Sequence, residues 1–278
     1  MKATVSQDSP YILGHSNQEL ERLIHQGRFL SVLTEQVLCL AGLESGMQVL
    51  DVGCGVGDVS FLAANLVGPT GKVIGVDKSP KAIALASQRA AQAGLTNVYF
   101  LTQDLTELTL EESVDALIGR LVLMFFVDPA LLLRRLIRFL KPNGLVIFHE
   151  VDIDGAKSEP VCHLFETTVA RIKQTSVRAG SDIQTGLKLH RIFQEAGLPR
   201  PQMIQSAPVE NGPDSEIYSA IAQLARTLLP LMERTGVATA AEVSIDTLAD
   251  RLREEAVAIN ATCIYPPFIG AWARKELD

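Results

Sequence analysis

The sequence is poor in the features that mark secreted, membrane and metal-binding proteins. Its 278 residues include only four cysteines, Cys39, Cys54, Cys162 and Cys263. These lie too far apart for a zinc site or a CxxC redox motif. The chain has no run of about 18 apolar residues, as a membrane span requires, and residues 1–16 lack the apolar segment of a signal peptide. We therefore expect a reduced, cytoplasmic chain with no metal and no membrane span.

The chain also lacks the positive charge that is typical of nucleic-acid-binding proteins. It has 25 Lys and Arg against 32 Asp and Glu, a net charge of −7, which disfavours a polyanionic partner. Only 5% of its residues are aromatic, and we find neither an appended basic module nor an aromatic stacking platform. We therefore expect a small-molecule partner and no nucleic acid.

What the chain does have is a regular alternation of strands and helices. Short runs rich in branched apolar residues predict five buried strands, at 48–53, 71–79, 97–104 and 145–152, with the fourth of the five lying within 113–126. Helical patterns lie between them, and the one at 80–95 begins with proline, which suits a first helical turn. This alternation predicts a parallel sheet with helices on both faces. Ligand sites in such sheets lie outside the carboxyl ends of the strands.

Segments with helical periodicity flank this region. Residues 17–43 predict two helices divided at Gly27, with Ser16 or Asn17 as the N-cap and Gly42 as the stop. The pattern after residue 152 predicts helices at 159–179, 185–197, 214–235 and 239–258, an edge strand at 202–210, and a final strand at 261–275 with a bulge at its prolines.

A glycine-rich loop follows the first strand. In "VLDVGCGVGDVSFLA", Gly53, Gly55 and Gly57 have G-x-G-x-G spacing, whereas a dinucleotide fingerprint is G-x-G-x-x-G/A. The last glycine of that fingerprint falls at Asp58, where a carboxylate opposes the pyrophosphate at the helix N-terminus. Asp51 places a second acid just before the loop. Two acids disfavour a diphosphate and suit a ligand with a cationic end.

Two further acids indicate the rest of the ligand. Asp77 ends the second strand, where a carboxylate accepts hydrogen bonds from both ribose hydroxyls. Asp104 ends the third strand, where a short acid accepts from an exocyclic adenine amine. An adenosine with a cationic tail and no phosphate fits S-adenosylmethionine. The alternative, a nicotinamide-dependent oxidoreductase, is disfavoured by Asp58 and by the glycine spacing.

The chain resembles the class I (Rossmann-like) S-adenosylmethionine-dependent methyltransferases. Five stretches match the motifs of that family in order: "VLDVGCGVGDVS", "VIGVDKSP", "TQDL", "DALIGRLVLMFFVDP" and "FLKPNGLVIFHE". The match covers residues 45–152, and "YILGHSNQELERL" and "PPFIGAWARK" further resemble bacterial small-molecule members. The resemblance implies an α/β fold: a doubly wound, mostly parallel, seven-stranded sheet with helices on both faces and a helical cap formed by the terminal segments.

The resemblance also implies a role for individual residues. Gly53, Gly55 and Gly57 would let the backbone approach the methionine part of the cofactor, and Asp51 would fix the loop or bind the amino group through water. The other implied cofactor-binding residues are Asp77 for the ribose, Lys78, Asp104 and Leu105 for the adenine, Arg120 near the methionine, and Tyr11 and Gln26 closing over the cofactor.

The acceptor side is less specific. Many relatives have His or Asn shortly after the fourth strand, whereas this chain has Met124, Phe125 and Phe126, which suggests a hydrophobic or planar acceptor. His149 and Glu150 end the fifth strand, where a catalytic base would reach an acceptor. A protein that binds the cofactor without methyl transfer is the remaining alternative. The apolar C-terminal helices are also compatible with a homodimer.

These observations divide the chain into three parts. Residues 1–44 are expected to be an N-terminal helical cap segment, residues 45–152 the Rossmann-like cofactor-binding core, and residues 153–278 helical cap insertions with the final sheet strands.

Overall fold

The computed structural model describes residues 16–276. Its helices are α1 (Asn17–Phe29), α2 (Ser31–Ala41), α3 (Asp58–Val67), α4 (Pro80–Gln92), α5 (Pro129–Leu136), α6 (His163–Arg178), α7 (Thr185–Glu195), α8 (Ile217–Arg234), α9 (Ala240–Val243) and α10 (Leu248–Ala258). Its strands are β1 (Gln48–Val52), β2 (Lys72–Asp77), β3 (Val98–Thr102), β4 (Val114–Arg120), β5 (Leu140–Val151), β6 (Lys157–Glu159), β7 (Gln202–Ser206), β8 (Val209–Asn211), β9 (Thr262–Ile264) and β10 (Phe268–Arg274).

Local sequence signals set several helix ends. The Ser16 hydroxyl accepts a hydrogen bond from the N–H of Glu19 at the start of α1, and Ser79 caps α4 in the same way, followed by Pro80. Asp128 caps α5. These side chains satisfy amides that have no partner within their own helix. Gly42 ends α2 in the left-handed conformation that glycine adopts easily.

The main sheet has seven strands in the order β3-β2-β1-β4-β5-β10-β7. Strands β1 to β5 are parallel to one another, and β10 runs antiparallel between β5 and β7. The predicted mostly parallel seven-stranded sheet is therefore confirmed. The strand order reverses at β1 and β4, so a crevice opens at their carboxyl ends.

Both faces of the sheet are covered. On one face, apolar residues of α2 and α3 pack on β1, β2, β4 and β5. On the other face, residues of α5 and α7 pack on the same sheet, with Phe148 and Phe193 in edge-to-face contact. Burial on both faces explains why the central strands are continuous apolar runs.

A helical cap lies over the carboxyl ends of the strands. Helices α6, α8 and α10 share a second apolar core, which also contains Leu30, Met124 and Phe268. A small antiparallel sheet in the order β6-β9-β8 supports this cap. None of the helices among residues 16–276 is long and apolar enough to cross a membrane.

Some predicted boundaries were wrong. The break between α1 and α2 falls at Leu30, not at Gly27. Gly27 lies inside α1, where the helix packs so closely on Asp58 that a Cβ would clash with it. The segment 261–275 is not one bulged strand, since its two prolines separate β9 and β10, which belong to different sheets. The Pro-Asn-Gly segment after α5 lies within β5. The short strand β6 was not predicted.

Candidate functional site

A large cavity opens where the sheet and the cap meet. It holds about 1740 Å³ of empty space, counting the solvent at its open mouth. One end is formed by the loops after β1, β2 and β3, and the other by apolar side chains of the cap.

The glycine loop forms the floor of the first end. Gly53, Gly55 and Gly57 have φ values of 65°, 53° and 91°, in the left-handed region that favours glycine. A Cβ on Gly53 would lie 2.5 Å from Cγ2 of Val122. Gly53 and Gly55 line the cavity, whereas Gly57 stands behind the loop at the N-cap of α3. The three glycines therefore let the backbone turn back tightly beside a bound molecule.

Asp77 ties this loop to the second strand. Its Oδ2 accepts from the N–H of Gly55 at 3.0 Å, and its Oδ1 accepts from the N–H of Ser79 at 2.8 Å. The carboxylate lines the cavity beside the exposed Lys78. A carboxylate has about four acceptor positions, so two remain for hydroxyl groups of a ligand.

The loop after β3 forms the adjacent wall. Asp104 and Leu105 both line the cavity. The Oδ1 of Asp104 accepts from the N–H and the hydroxyl of Thr106, at 2.8 and 2.7 Å. Leu105 is buried and presents an apolar surface beside that acid. The pair combines a fixed acceptor with a flat apolar contact, which suits a heteroaromatic ring.

Asp51 is the most perturbed acid in the cavity wall. It is 1% exposed, and its Oδ2 accepts from the Ser60 hydroxyl at 2.5 Å. Its Oδ1 has no hydrogen-bond partner among the described residues. Burial raises its pKa to about 7 against the lowering effects of Ser60 and Arg120. An incoming cation would favour the ionised form of this carboxyl.

Asp58 does not act as the free acid that the sequence argument assumed. Its Oδ1 lies 2.7 Å from a guanidinium nitrogen of Arg89, which also donates to the carbonyl of Val56. With this ion pair, and with the pKa of Asp51 near neutrality, the site carries less negative charge than two full carboxylates. The repulsion of a diphosphate is therefore weaker than predicted. The left-handed glycine loop is the stronger argument for a ligand with a cationic end over a dinucleotide.

Arg120 and Gln26 close the site from the side. Arg120, at the end of β4, lines the cavity and donates to the Thr34 hydroxyl of α2 at 2.9 Å. Burial lowers the pKa of its guanidinium. Gln26, on α1, lines the same cavity beside Tyr265. Tyr11, the other predicted closing residue, lies outside the described residues.

The two candidate bases lie behind the cavity wall. His149 is 2% exposed, and burial together with repulsion from Arg120 lowers its pKa to about 3. Glu150 is completely buried, and its Oε1 accepts from the N–H groups of Val122 and Leu123. Neither side chain lines the cavity. We therefore carry neither forward as a base.

The other end of the cavity is apolar. The turn after β4 contributes Met124, Phe125 and Phe126, and the cap contributes Val169, Ile172, Ile221, Leu224, Leu228, Tyr265 and Phe268. The sequence indicated the first three and a helical cap, but not which residues of the cap helices line the cavity. The helical periodicity of α6 and α8 was visible, but which part of each apolar face meets the cavity depends on how the helices pack.

The sequence of the chain is similar to those of known methyltransferases. The family model described as a methyltransferase domain matches residues 43–197. An arsenite methyltransferase from Aquipseudomonas alcaligenes is 28% identical over 206 residues, covering 67% of this chain and 56% of that protein. A demethylmenaquinone methyltransferase from Staphylococcus aureus is 31% identical over 140 residues, covering 50% and 55%. The chain thus spans little more than half the length of these two relatives.

Solved structures give the same fold. A SAM dependent methyltransferase from Aquifex aeolicus has a TM-score of 0.55 at 16% identity and covers 94% of this chain and 100% of its own. Phosphoethanolamine N-methyltransferase 2 from Haemonchus contortus, in complex with S-adenosyl-L-methionine, has a TM-score of 0.54 at 20% identity, covering 88% and 52%. At these identities the likeness concerns the fold.

Proposed function

The chain belongs to the methyltransferase-domain family, and from that premise we propose that it transfers a methyl group from S-adenosylmethionine to a small apolar acceptor. The observation that carries the proposal is the two-ended cavity, with acids and a glycine loop at one end and apolar cap residues at the other. The two ends would hold the cofactor and the acceptor side by side.

The residues at the first end fit this cofactor. Asp77 has acceptor capacity for ribose hydroxyls, and Asp104 with Leu105 suits the adenine. The buried Oδ1 of Asp51, without a partner among the described residues, suits the cationic end. The left-handed glycines leave room for the chain of the ligand. When bound, the cofactor supplies a methyl group activated by a sulfonium.

The composition of the second end favours an organic acceptor over arsenite. The described residues of that end include no cysteine; the one cysteine among the described cavity residues, Cys54, lies in the glycine loop at the first end, and burial raises its pKa well above the ordinary value. Such a thiol is a poor soft-metal ligand, because the thiolate is the binding form. Arsenite, the substrate named for one relative, therefore fits less well than a hydrophobic or planar molecule that packs against Phe125, Ile172 and Leu224.

The residues of this chain contribute mainly positioning and exclusion of water. Apolar side chains of the turn after β4 and of the cap hold the acceptor against the cofactor, and correct placement is a large part of the acceleration of such a displacement. Because neither His149 nor Glu150 reaches the cavity, we propose an acceptor whose attacking atom ionises readily or starts unprotonated.

The three predicted parts of the chain have separate roles in this proposal. The core 45–152 would bind the cofactor, and the described parts of the two flanking segments, 16–44 and 153–276, would cover it and form most of the acceptor end. The apolar faces of α6, α8 and α10 are buried against one another, so the homodimer is not carried forward. The described cysteines are all free, which supports a reducing, cytoplasmic location.

One alternative has a specific observation in its favour. The absence of a histidine and of an unpaired carboxylate from the apolar end, among the described cavity residues, also suits a protein that binds the cofactor and performs no methyl transfer. The two functions differ only in turnover, so they are separated by assaying acceptors and not by measuring cofactor binding.

The test has two steps. Calorimetry with S-adenosylmethionine, S-adenosylhomocysteine and NADH should show binding of the first two and none of the third. A panel of phenols, quinols and apolar amines, followed by release of S-adenosylhomocysteine, then tests transfer. Asp77→Ala should abolish cofactor binding, while Asp115→Ala, at the opposite end of β4, serves as the matched acid control. Binding of NADH without S-adenosylmethionine would overturn the proposal.

A further inference from the structure

The turn after β4 has a strained backbone. Leu121 has a φ of 57°, in the left-handed region that residues other than glycine rarely adopt. Its N–H donates to the carbonyl of His149 at 3.1 Å. Such a conformation persists when surrounding contacts hold it in place, and it is often found beside functional sites.

Glu150 supplies those contacts. Its Oε1 accepts from the N–H groups of Val122 and Leu123, both at 2.9 Å, which are the two residues after Leu121. The carboxylate is completely buried at the end of β5. Hydrogen bonds from backbone amides to a carboxyl in the interior are strong and directional, so they fix the direction of the chain as it leaves β4.

The turn lies between the two ends of the cavity. On the cofactor side, Val122 packs so closely on Gly53 that a Cβ there would lie 2.5 Å from its Cγ2. On the acceptor side, Met124 belongs to the apolar core of the cap, and Phe125 lines the cavity. A displacement of this turn therefore changes both binding sites together.

We propose that Glu150 is a positioning residue: it holds the amides of Val122 and Leu123 and so sets the turn that separates cofactor from acceptor. The positioning role of Glu150 rests on the proposed methyl transfer, whereas its hydrogen bonds to the turn do not. Glu150 acts through the backbone of the turn and touches neither reactant, which distinguishes this role from that of a base.

Hydrogen exchange tests the contact directly. In Glu150→Ala, the amides of Val122 and Leu123 should exchange at least about tenfold faster, while amides of β1 and β2 keep their rates. Glu150→Gln keeps an acceptor oxygen and should restore most of the protection. If the alanine variant does not fold, Glu150→Asp, too short to reach both amides, replaces it. Unchanged exchange at the turn, or an equal rise throughout the sheet, would overturn the proposal.

Kinetics then test the positioning. Glu150→Ala should raise both the Kd of S-adenosylmethionine and the KM of an acceptor about tenfold, and Glu150→Gln should recover both within about threefold. Asp115→Ala removes an acceptor of the Gln48 amide at the far end of β4 and should change neither. If the wild-type protein binds no S-adenosylmethionine, the proposed function fails, while the exchange experiment still decides the role of Glu150 in the turn.

Discussion

Asp51 should make the affinity for S-adenosylmethionine depend on pH. The carboxyl is buried in the cavity wall and its pKa is raised to about 7 by that burial, so the free protein is about half protonated at neutral pH. The sulfonium and ammonium groups of the ligand favour the ionised carboxylate. Binding should therefore release a proton, and affinity should rise with pH until the carboxyl is fully ionised.

The size of the effect follows from the ionised fraction. With a pKa of about 7, this fraction is roughly three quarters at pH 7.5 and roughly 3% at pH 5.5, so the Kd should weaken about 25-fold between them, or about 2 kcal/mol. Asp51→Asn keeps an acceptor for the Ser60 hydroxyl but cannot ionise. The variant should bind more weakly at pH 7.5 and lose this dependence on pH.

Calorimetry at pH 5.5, 6.5 and 7.5, in buffers of different ionisation enthalpy, measures both the Kd and the protons released. The α-amino group of the ligand, with a pKa of about 8, titrates against both proteins, so the difference between wild type and Asp51→Asn isolates the carboxyl. Equal pH dependence in the two proteins, or no difference in proton release, would refute the reasoning. Asp115→Asn is the matched control and should behave as wild type.

Three further predictions concern residues that support or line the cavity. The pKa of Glu150 is raised to about 7 from 4.5 by burial, so this carboxyl should lower the free energy of unfolding by about 3 kcal/mol as pH rises from 4.5 through 7. Asp51, whose pKa is also raised to about 7, adds a fall of its own in both proteins, so the difference between wild type and Glu150→Gln in denaturant titrations isolates the contribution of Glu150; parallel curves would contradict this. Gly27→Ala places a Cβ 2.2 Å from Cγ of Asp58 and should destabilise by about 1–3 kcal/mol in the same titrations; a more stable variant would show that α1 is free to shift. Leu224→Trp should raise the acceptor KM about tenfold and leave the Kd of S-adenosylmethionine within about twofold; a parallel loss of cofactor affinity would place Leu224 at the wrong end of the cavity.

Local patterns were sufficient for the core of the fold. Branched apolar runs separated by helices predicted five strands, and the structure has all five in parallel register. The reason is that burial on both faces imposes a composition that is visible in a single strand. The cap at Ser16 was readable for a different reason, since the amide that it accepts from lies only three residues away.

Long-range partners were not readable. Asp58 was interpreted as a free acid, but Arg89, 31 residues away, forms an ion pair with it. His149 and Glu150 stand at a strand end, as predicted, yet both side chains are buried behind the wall. Successive residues of a strand point to opposite faces, and only the packing on each face decides which of them reaches a cavity.

The sequence by itself determined the alternating core, the glycine loop and the acids at the carboxyl ends of β1, β2 and β3, because each depends on residues close together in the chain. The tertiary structure alone decided the acceptor end of the cavity and the role open to Glu150. The acceptor end depends on how α6 and α8 pack over the sheet, and the role of Glu150 depends on which backbone amides donate to its carboxylate. Such contacts join residues that are far apart in the chain, so no local pattern indicates them.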